Sequence, residues 1–303
     1  MRTYVKNIIS FIISLVLMFL VLATSFTLFF RATILNPKTY VNVIEKHNLY
    51  NGIYENIYEN IDYLVLTNNM PEDTLDGVIY EDEIKQVVDD YIYYVVGFMK
   101  NEGSEIPAVN MEIYESRINE KIDNFLNNNS EYINDDFRSN IEDMNTTILN
   151  IIKSDLEVIN LNQLSKSSVV KAIAKISTIL NSGILMVIIF AMIILVSSLY
   201  IIIWRRRKSR RFAWIGYSFM SSGLLVFLIG LSGYISGFYD NFAIAIPYIA
   251  TAISLIMRKC LLSLTFIGFI VLVIGLCFMS VYWKHLYKRY TKMQETKETI
   301  GME

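Results

Sequence analysis

GILMVIIFAMIILVSSLYIIIWRRRKSRRFAWIGYSFMSSGLLVFLIGLSGYISGF, residues 183–238, is the stretch on which the fold turns. Two uncharged apolar runs, 183–204 and 212–238, flank a short loop rich in basic residues. The loop holds Arg205, Arg206, Arg207, Lys208, Arg210 and Arg211. Each run exceeds the ~20 helical residues needed to cross a hydrocarbon layer. Lysine and arginine beside spans mark the cytoplasmic side, so the pair reads as a transmembrane hairpin with a cytoplasmic turn. A basic run also suits nucleic acid or anionic lipid. Between two spans, the topological role takes precedence.

Two more uncharged apolar runs lie outside the hairpin, at 8–30 and 261–283. The first follows Arg2 and Lys6, as a secretory signal would. It is longer than the roughly 7–15 apolar residues of a signal, and Ala23-Thr24-Ser25 is a poor cleavage site lying inside it. It reads as an uncleaved anchor. The basic stub, the basic loop and a tail with Lys284, Lys288, Arg289, Lys292 and Lys297 fall on one side if there are four spans. Both termini are then cytoplasmic.

The predicted plan is a cytoplasmic stub (1–7), spans at 8–30, 183–204, 212–238 and 261–283, a basic loop (205–211) and a cytoplasmic tail (284–303). A large extracytoplasmic domain (31–182) lies between the first two spans, and an outer interfacial segment (239–260) precedes the last. The segment 239–260 is apolar enough to suggest a fifth span. It is short, contains Pro247, and is separated from the next run only by Arg258 and Lys259. A fifth span would also carry the basic tail outside. As the start of the last helix, the segment would instead set Arg258 and Lys259 under the acidic domain as a docking pair.

Charge is divided along the chain. Residues 32–181 hold 25 Asp/Glu and 11 Lys/Arg, a net of −14, although the whole chain is only −2. Such a domain repels nucleic acid and anionic head groups and attracts cations or a basic partner. Both cysteines, Cys260 and Cys277, lie at or within the last span, ~25 Å apart on a straight helix. They cannot bridge each other, and the exported domain has no disulfide.

Within that domain the apolar residues recur at helical spacing. Asn36-Pro37 opens a short helix to about His47. LYNGIYENIYENIDYLVL follows, with a Tyr50/Tyr54/Tyr58 row beside Ile53, Ile57, Ile61 and Leu64. A third helix, about 81–100, places Ile84, Val87, Val88, Tyr91, Val95 and Phe98 on one face. A fourth, about 111–127, uses Met111, Tyr114, Ile118, Ile122 and Phe125. A fifth, about 135–153, uses Phe137, Ile141, Met144, Ile148 and Ile151. A last helix starts near Ser165 and runs straight into the second span. The fold class is all-α: a polytopic membrane protein of four transmembrane helices, with an extracytoplasmic helical bundle inserted between the first and second spans.

Few residues point to chemistry. Counted from Glu72, the stretch PEDTLDGVIYEDEI (71–84) puts Thr74 at position 3, Asp76 at 5, Gly77 at 6, Ile79 at 8 and Glu83 at 12. That is the outline of an EF-hand loop. However, Glu stands where Asp is expected, Thr fills position 3, Pro71 crowds the entering helix and no second copy exists. The stretch therefore reads as an acidic turn first, with Glu72, Thr74, Asp76 and Glu83 as a secondary calcium candidate. Paired acids (Asp89-Asp90, Asp135-Asp136) read as polar helix faces. His47 and His285 have no neighbour at zinc spacing, and no nucleophile elbow, phosphate loop or dinucleotide fingerprint occurs. No cofactor is implied.

In the third span Gly216, Gly223, Gly230 and Gly237 recur every seven residues, and Gly268 and Gly275 repeat the interval in the fourth. Glycines let helices approach closely in lipid. A tight hairpin of these two spans is the expectation, with a sliding seam or a dimer contact as the alternatives. The spans carry no Asp, Glu, Lys, Arg or His, which argues against an ion-coupled carrier or an intramembrane hydrolase.

The layout is similar to that of FtsX-type permease subunits, whose outer domains mix strands with helices, and to claudin-like tetraspan proteins, whose cysteine signature this loop lacks. Through NPKTYVNVIEKHNLYNGIYENI (36–57) the chain more closely resembles uncharacterised four-span proteins of Gram-positive bacteria with helical outer loops. Abundant Ile, Asn, Tyr and Lys with scarce Pro agree with such a source, and with a bacterial cell membrane. The resemblance implies no activity. The expected role is non-enzymatic: binding, sensing or scaffolding through the outer domain, with coupling of that domain to a cytoplasmic ATPase as the alternative. Expected partners are the bilayer, a protein met by the outer domain and a second copy of the chain, but not nucleic acid.

Overall fold

The computed structural model describes residues 3–102, 106–129, 135–157, 168–205, 207–241, 243–244 and 246–300. It is all-α, with four helices long and apolar enough to span a membrane: Tyr4–Ile34, Gly183–Ile203, Ser209–Ser236 and Pro247–Thr291. A large helical bundle lies between the first and second. The chain divides into an inserted unit, Asn36–Ile176 with Ala243–Ile253, and a membrane unit, Met1–Leu35, Ser177–Phe242 and Ser254–Glu303.

The inserted unit opens with α2 (Pro37–Lys46), capped as its sequence requires: the Asn36 Oδ1 accepts from the Lys38 N–H at 3.2 Å. Asn48 then takes a left-handed conformation (φ 53°) and turns the chain directly into α3 (Leu49–Thr67). Along α3 the fully buried row is Ile53, Ile57, Ile61 and Val65, with Leu64 half-buried beside it. The four-residue step continues one position past the predicted Leu64.

Helices α4 (Glu81–Lys100), α5 (Met111–Asn128) and α6 (Asp135–Leu156) complete the bundle. Its core joins the α3 row to Ile84, Tyr114, Ile118, Ile122, Ile141 and Ile148. Two local expectations shift. On α6 the buried residue is Ile152 rather than Ile151, and the helix continues to a buried Leu156. After Met144 the buried positions advance in steps of four, each about 40° beyond a full 3.6-residue turn, so the stripe slants around the helix rather than returning to Ile151. On α4 the first half follows the predicted face. In the second half Tyr94, Val96 and Gly97 are buried instead, because α4 packs against α2 and α6 as well as α3.

Helix α7 (Ser168–Asn181) does not run straight into the second span, and the predicted start at Ser165 lies outside the described residues. Ser182 is extended (φ −63°, ψ 122°) and separates α7 from α8 (Gly183–Ile203).

The membrane unit contains α1 (Thr3–Phe29), which ends in a π-helical turn at Phe30–Ile34, then α8, α9 (Lys208–Ser236) and α10 (Pro247–Ile300). Helix α1 packs against both α8 and α9. From Pro247 onward, the stretch that suggested a fifth span is the head of α10, with the proline at the first helical position. At 1.5 Å per residue its 54 residues extend about 80 Å. That is more than twice the ~30 Å hydrocarbon thickness, so α10 continues well beyond the bilayer core.

Candidate functional site

The acidic stretch 71–84 folds as a pinned turn. Glu72–Leu75 form one 3-10 turn, in which the Thr74 hydroxyl donates to the Pro71 carbonyl at 2.6 Å. Gly77 sits at φ +78°, a conformation that favours glycine, and Val78 and Ile79 then drop into the core. Two side chains from other helices hold the turn. The Tyr58 hydroxyl accepts from the Gly77 N–H (3.0 Å) and the Ile79 N–H (3.4 Å) and donates to the Ile79 carbonyl (3.1 Å). Burial, the largest cause, pushes the Tyr58 phenol above its usual range.

The second clamp is Arg117, on α5. Its guanidinium grips Glu83 with two bonds of 2.8 and 2.9 Å, donates to the Val78 carbonyl at 3.1 Å and lies 4.9 Å from the Tyr80 ring centre. Glu83 also accepts from the Tyr80 N–H at 3.2 Å, closing the start of α4. Both oxygens that an EF-hand glutamate would offer to calcium therefore face an arginine. The remaining candidates, Glu72 and Asp76, crowd Asp62. Burial and then these two like charges raise the Asp62 carboxyl above the ordinary range. Among the described residues no three His, Cys, Asp or Glu side chains come together as a metal site. Sequence reading missed Arg117, whose only signal was a lone base beside the core positions Tyr114 and Ile118.

Three further polar contacts tie the bundle helices together. The Asn56 amide donates to Asp155 at 2.9 Å; burial raises the Asp155 carboxyl above its usual range, and this bond partly offsets the rise. The Tyr50 hydroxyl donates to Asp89 at 2.6 Å, and Lys85 pairs with Glu45 at 2.6 Å. The last contact is exposed and contributes little.

In the membrane unit the glycines meet as an antiparallel seam. A Cβ on Gly223 would lie 2.4 Å from the Leu272 nitrogen, and one on Gly268 2.3 Å from the Phe227 nitrogen. On Gly230 and Gly275 it would come within 2.6 Å of the Thr265 and Met220 nitrogens, and on Gly216 within 2.9 Å of Met279. Each seven-residue step along α9 is matched by an equal step back along α10. Gly237 lies outside this seam: it caps α9 at φ +60°, with nothing closer to its Cβ position than Asp240 at 3.7 Å. Hydroxyls join α1 to its neighbours. The Trp204 indole donates to the Ser10 hydroxyl at 2.8 Å, the Tyr200 hydroxyl to the Ser10 carbonyl at 3.2 Å, and the Ser14 and Ser218 hydroxyls lie 2.8 Å apart.

The basic loop closes one end of this unit. Arg211 donates to the carbonyls of Trp204 (3.0 Å) and Arg205 (2.8 Å), and Lys6 to that of Ile203 (3.2 Å). These cations cover the terminal carbonyls of α8, where they oppose the negative end of its dipole. Arg210 stacks 4.9 Å from the centre of the Trp204 ring. Arg205 and Arg207 are exposed, Lys208 begins α9, and Arg206 lies outside the described residues. At the other end of α9, Arg258 donates to the Tyr234 hydroxyl at 2.9 Å, an aromatic partner rather than a carboxylate.

These groups form structural clamps: each places a turn, a helix end or a pair of helices. Comparison with family models, with curated proteins and with solved structures gave no match.

Proposed function

We propose that this chain is a non-enzymatic, multi-pass protein of a bacterial cell membrane. It holds the acidic bundle outside the cytoplasm for binding, sensing or scaffolding. The observation that carries this reading is the bundle itself: a domain with its own closed isoleucine core and a net charge of −14 between residues 32 and 181. Its clamps stabilise one surface, as a recognition domain requires. The base suits support, since α9 and α10 meet backbone to backbone along the glycine seam. Orientation follows from the basic stub, loop and tail. The expected partner is a protein with a basic face, or a second copy of the chain.

A photo-crosslinking residue at the exposed positions Glu59, Glu115 or Glu120, compared with one at Lys288 in the tail, tests this in intact cells. The reading predicts a discrete adduct from the bundle positions and none from the tail. A stoichiometric ATPase captured from Lys288, with nothing captured from the bundle, would replace it with the permease-like alternative.

A further inference from the structure

We propose that α7, Ser168–Asn181, is an interfacial membrane helix whose isoleucine face lies in the lipid and whose lysines meet anionic phospholipid head groups. Ile173, Ile176 and Ile179 recur at three-residue steps and are 46%, 58% and 56% exposed. Ala172 shares their stripe. Lys171 and Lys175, one turn apart, are exposed on one flank of the stripe, while Ala174 and Ser177 are buried on the other side of the helix. The helix therefore has a buried side, an uncovered apolar side and a basic edge. Three exposed isoleucines in a row on a water-facing helix mark a surface that is normally covered.

Two observations identify lipid as the cover. The first is reach. Ser182 and Gly183 lead from α7 into α8, whose outward Ile184 and Val187 are 72% and 68% exposed, as lipid-facing residues of a span are. Ile184 is five chain steps after Ile179, so the two Cα atoms lie no more than ~18 Å apart even fully extended. The end of α7 therefore stays close to the membrane surface. The second is charge. The segment from residue 158 to 181 contains Lys166, Lys171 and Lys175 and no acid, in a domain otherwise dominated by acids. An apolar face edged with lysines is the composition of helices that lie in the head-group region. The lysine stems can follow the apolar surface while their ammonium groups reach phosphate. The inference holds for either leaflet, and so does not depend on the orientation argued above.

Single cysteines at 171, 173, 175, 176 and 179 in a Cys260→Ser, Cys277→Ser chain, spin-labelled and reconstituted in vesicles, test this directly. Collision with oxygen reports lipid, and collision with a water-soluble nickel complex reports solvent. A label at Ile188 serves as the lipid reference and one at Glu120 as the water reference. Labels at 173, 176 and 179 should match the Ile188 pattern, and labels at 171 and 175 should be nickel-accessible. Raising phosphatidylglycerol against phosphatidylcholine should drive the isoleucine labels deeper, and Lys171→Gln with Lys175→Gln should abolish that dependence. Nickel access at 173 and 176 equal to that at Glu120 overturns the proposal. Shielding from both reagents also overturns it, since it would mean that protein covers the face. Indifference to phosphatidylglycerol removes the role given to the lysines.

Discussion

In the inserted bundle, Ile57, Ile61, Ile84, Ile118, Ile148 and Ile152 are fully shielded, and mass fills the interior. In the membrane unit the closest approaches occur where side chains are missing, at Gly223 and Gly268, with Ser10, Ser14 and Ser218 supplying hydrogen bonds. The same chain thus solves two packing problems. In water, burying a large apolar side chain is itself the driving force. In lipid it gains little, because the surroundings are equally apolar, and close backbone contact and hydroxyl bonds must hold the helices.

Ile148→Ala should have the largest effect. Emptying a fully buried isoleucine site costs about 2–5 kcal/mol. Hydrogen exchange should show lost protection throughout α3, α5 and α6, with the spans unchanged. Gly268→Ala should reverse that pattern. The new methyl meets backbone atoms that cannot step aside, at a cost of about 1–3 kcal/mol, and protection should fall in α9 and α10 while the bundle is unaffected. If either variant loosened both regions equally, the two interiors would be one cooperative system.

Tyr58→Phe acts within the bundle. It removes the acceptor for the Gly77 and Ile79 N–H groups, and leaving such donors unsatisfied costs about 1–3 kcal/mol. Exchange should quicken at 76–80 before it does elsewhere. The smallest effect is that of Asp155→Asn, which keeps an acceptor for Asn56. The folded Asp155 carboxyl titrates above its unfolded value, so as pH rises the unfolded chain ionises first and the fold loses stability through the folded pKa. The variant should match the parent at acid pH and gain on it as pH rises past the ordinary aspartate range. A constant offset across that range would assign the effect to packing.

The two regions also differ in how far sequence reveals them. Spans, loop charge and glycine interval follow from composition and period, and the bundle helices follow from theirs to within a few residues. The far half of α4 was hidden because three neighbours bury it from several sides, which erases a single-face pattern. The break at Ser182 is marked only by the adjacent Gly183, a signal obscured by the apolar residues that continue at helical spacing on both sides. In the acidic turn, Gly77 and Glu83 stand out in sequence. Arg117, 34 residues further on, settles what Glu83 does, and no local pattern encodes so distant a partner. Gly237 shares the seven-residue interval yet serves as a helix cap, so spacing alone does not separate a seam glycine from a terminal one.

Orientation is the claim on which the functional account rests, and cysteine accessibility measures it most directly. In a chain with Cys260 and Cys277 replaced, Glu59→Cys and Arg207→Cys are challenged in intact cells with a membrane-impermeant maleimide. The account predicts that Glu59→Cys is labelled at once and Arg207→Cys only after permeabilisation. Labelling of Arg207→Cys from outside, with Glu59→Cys protected, would contradict it.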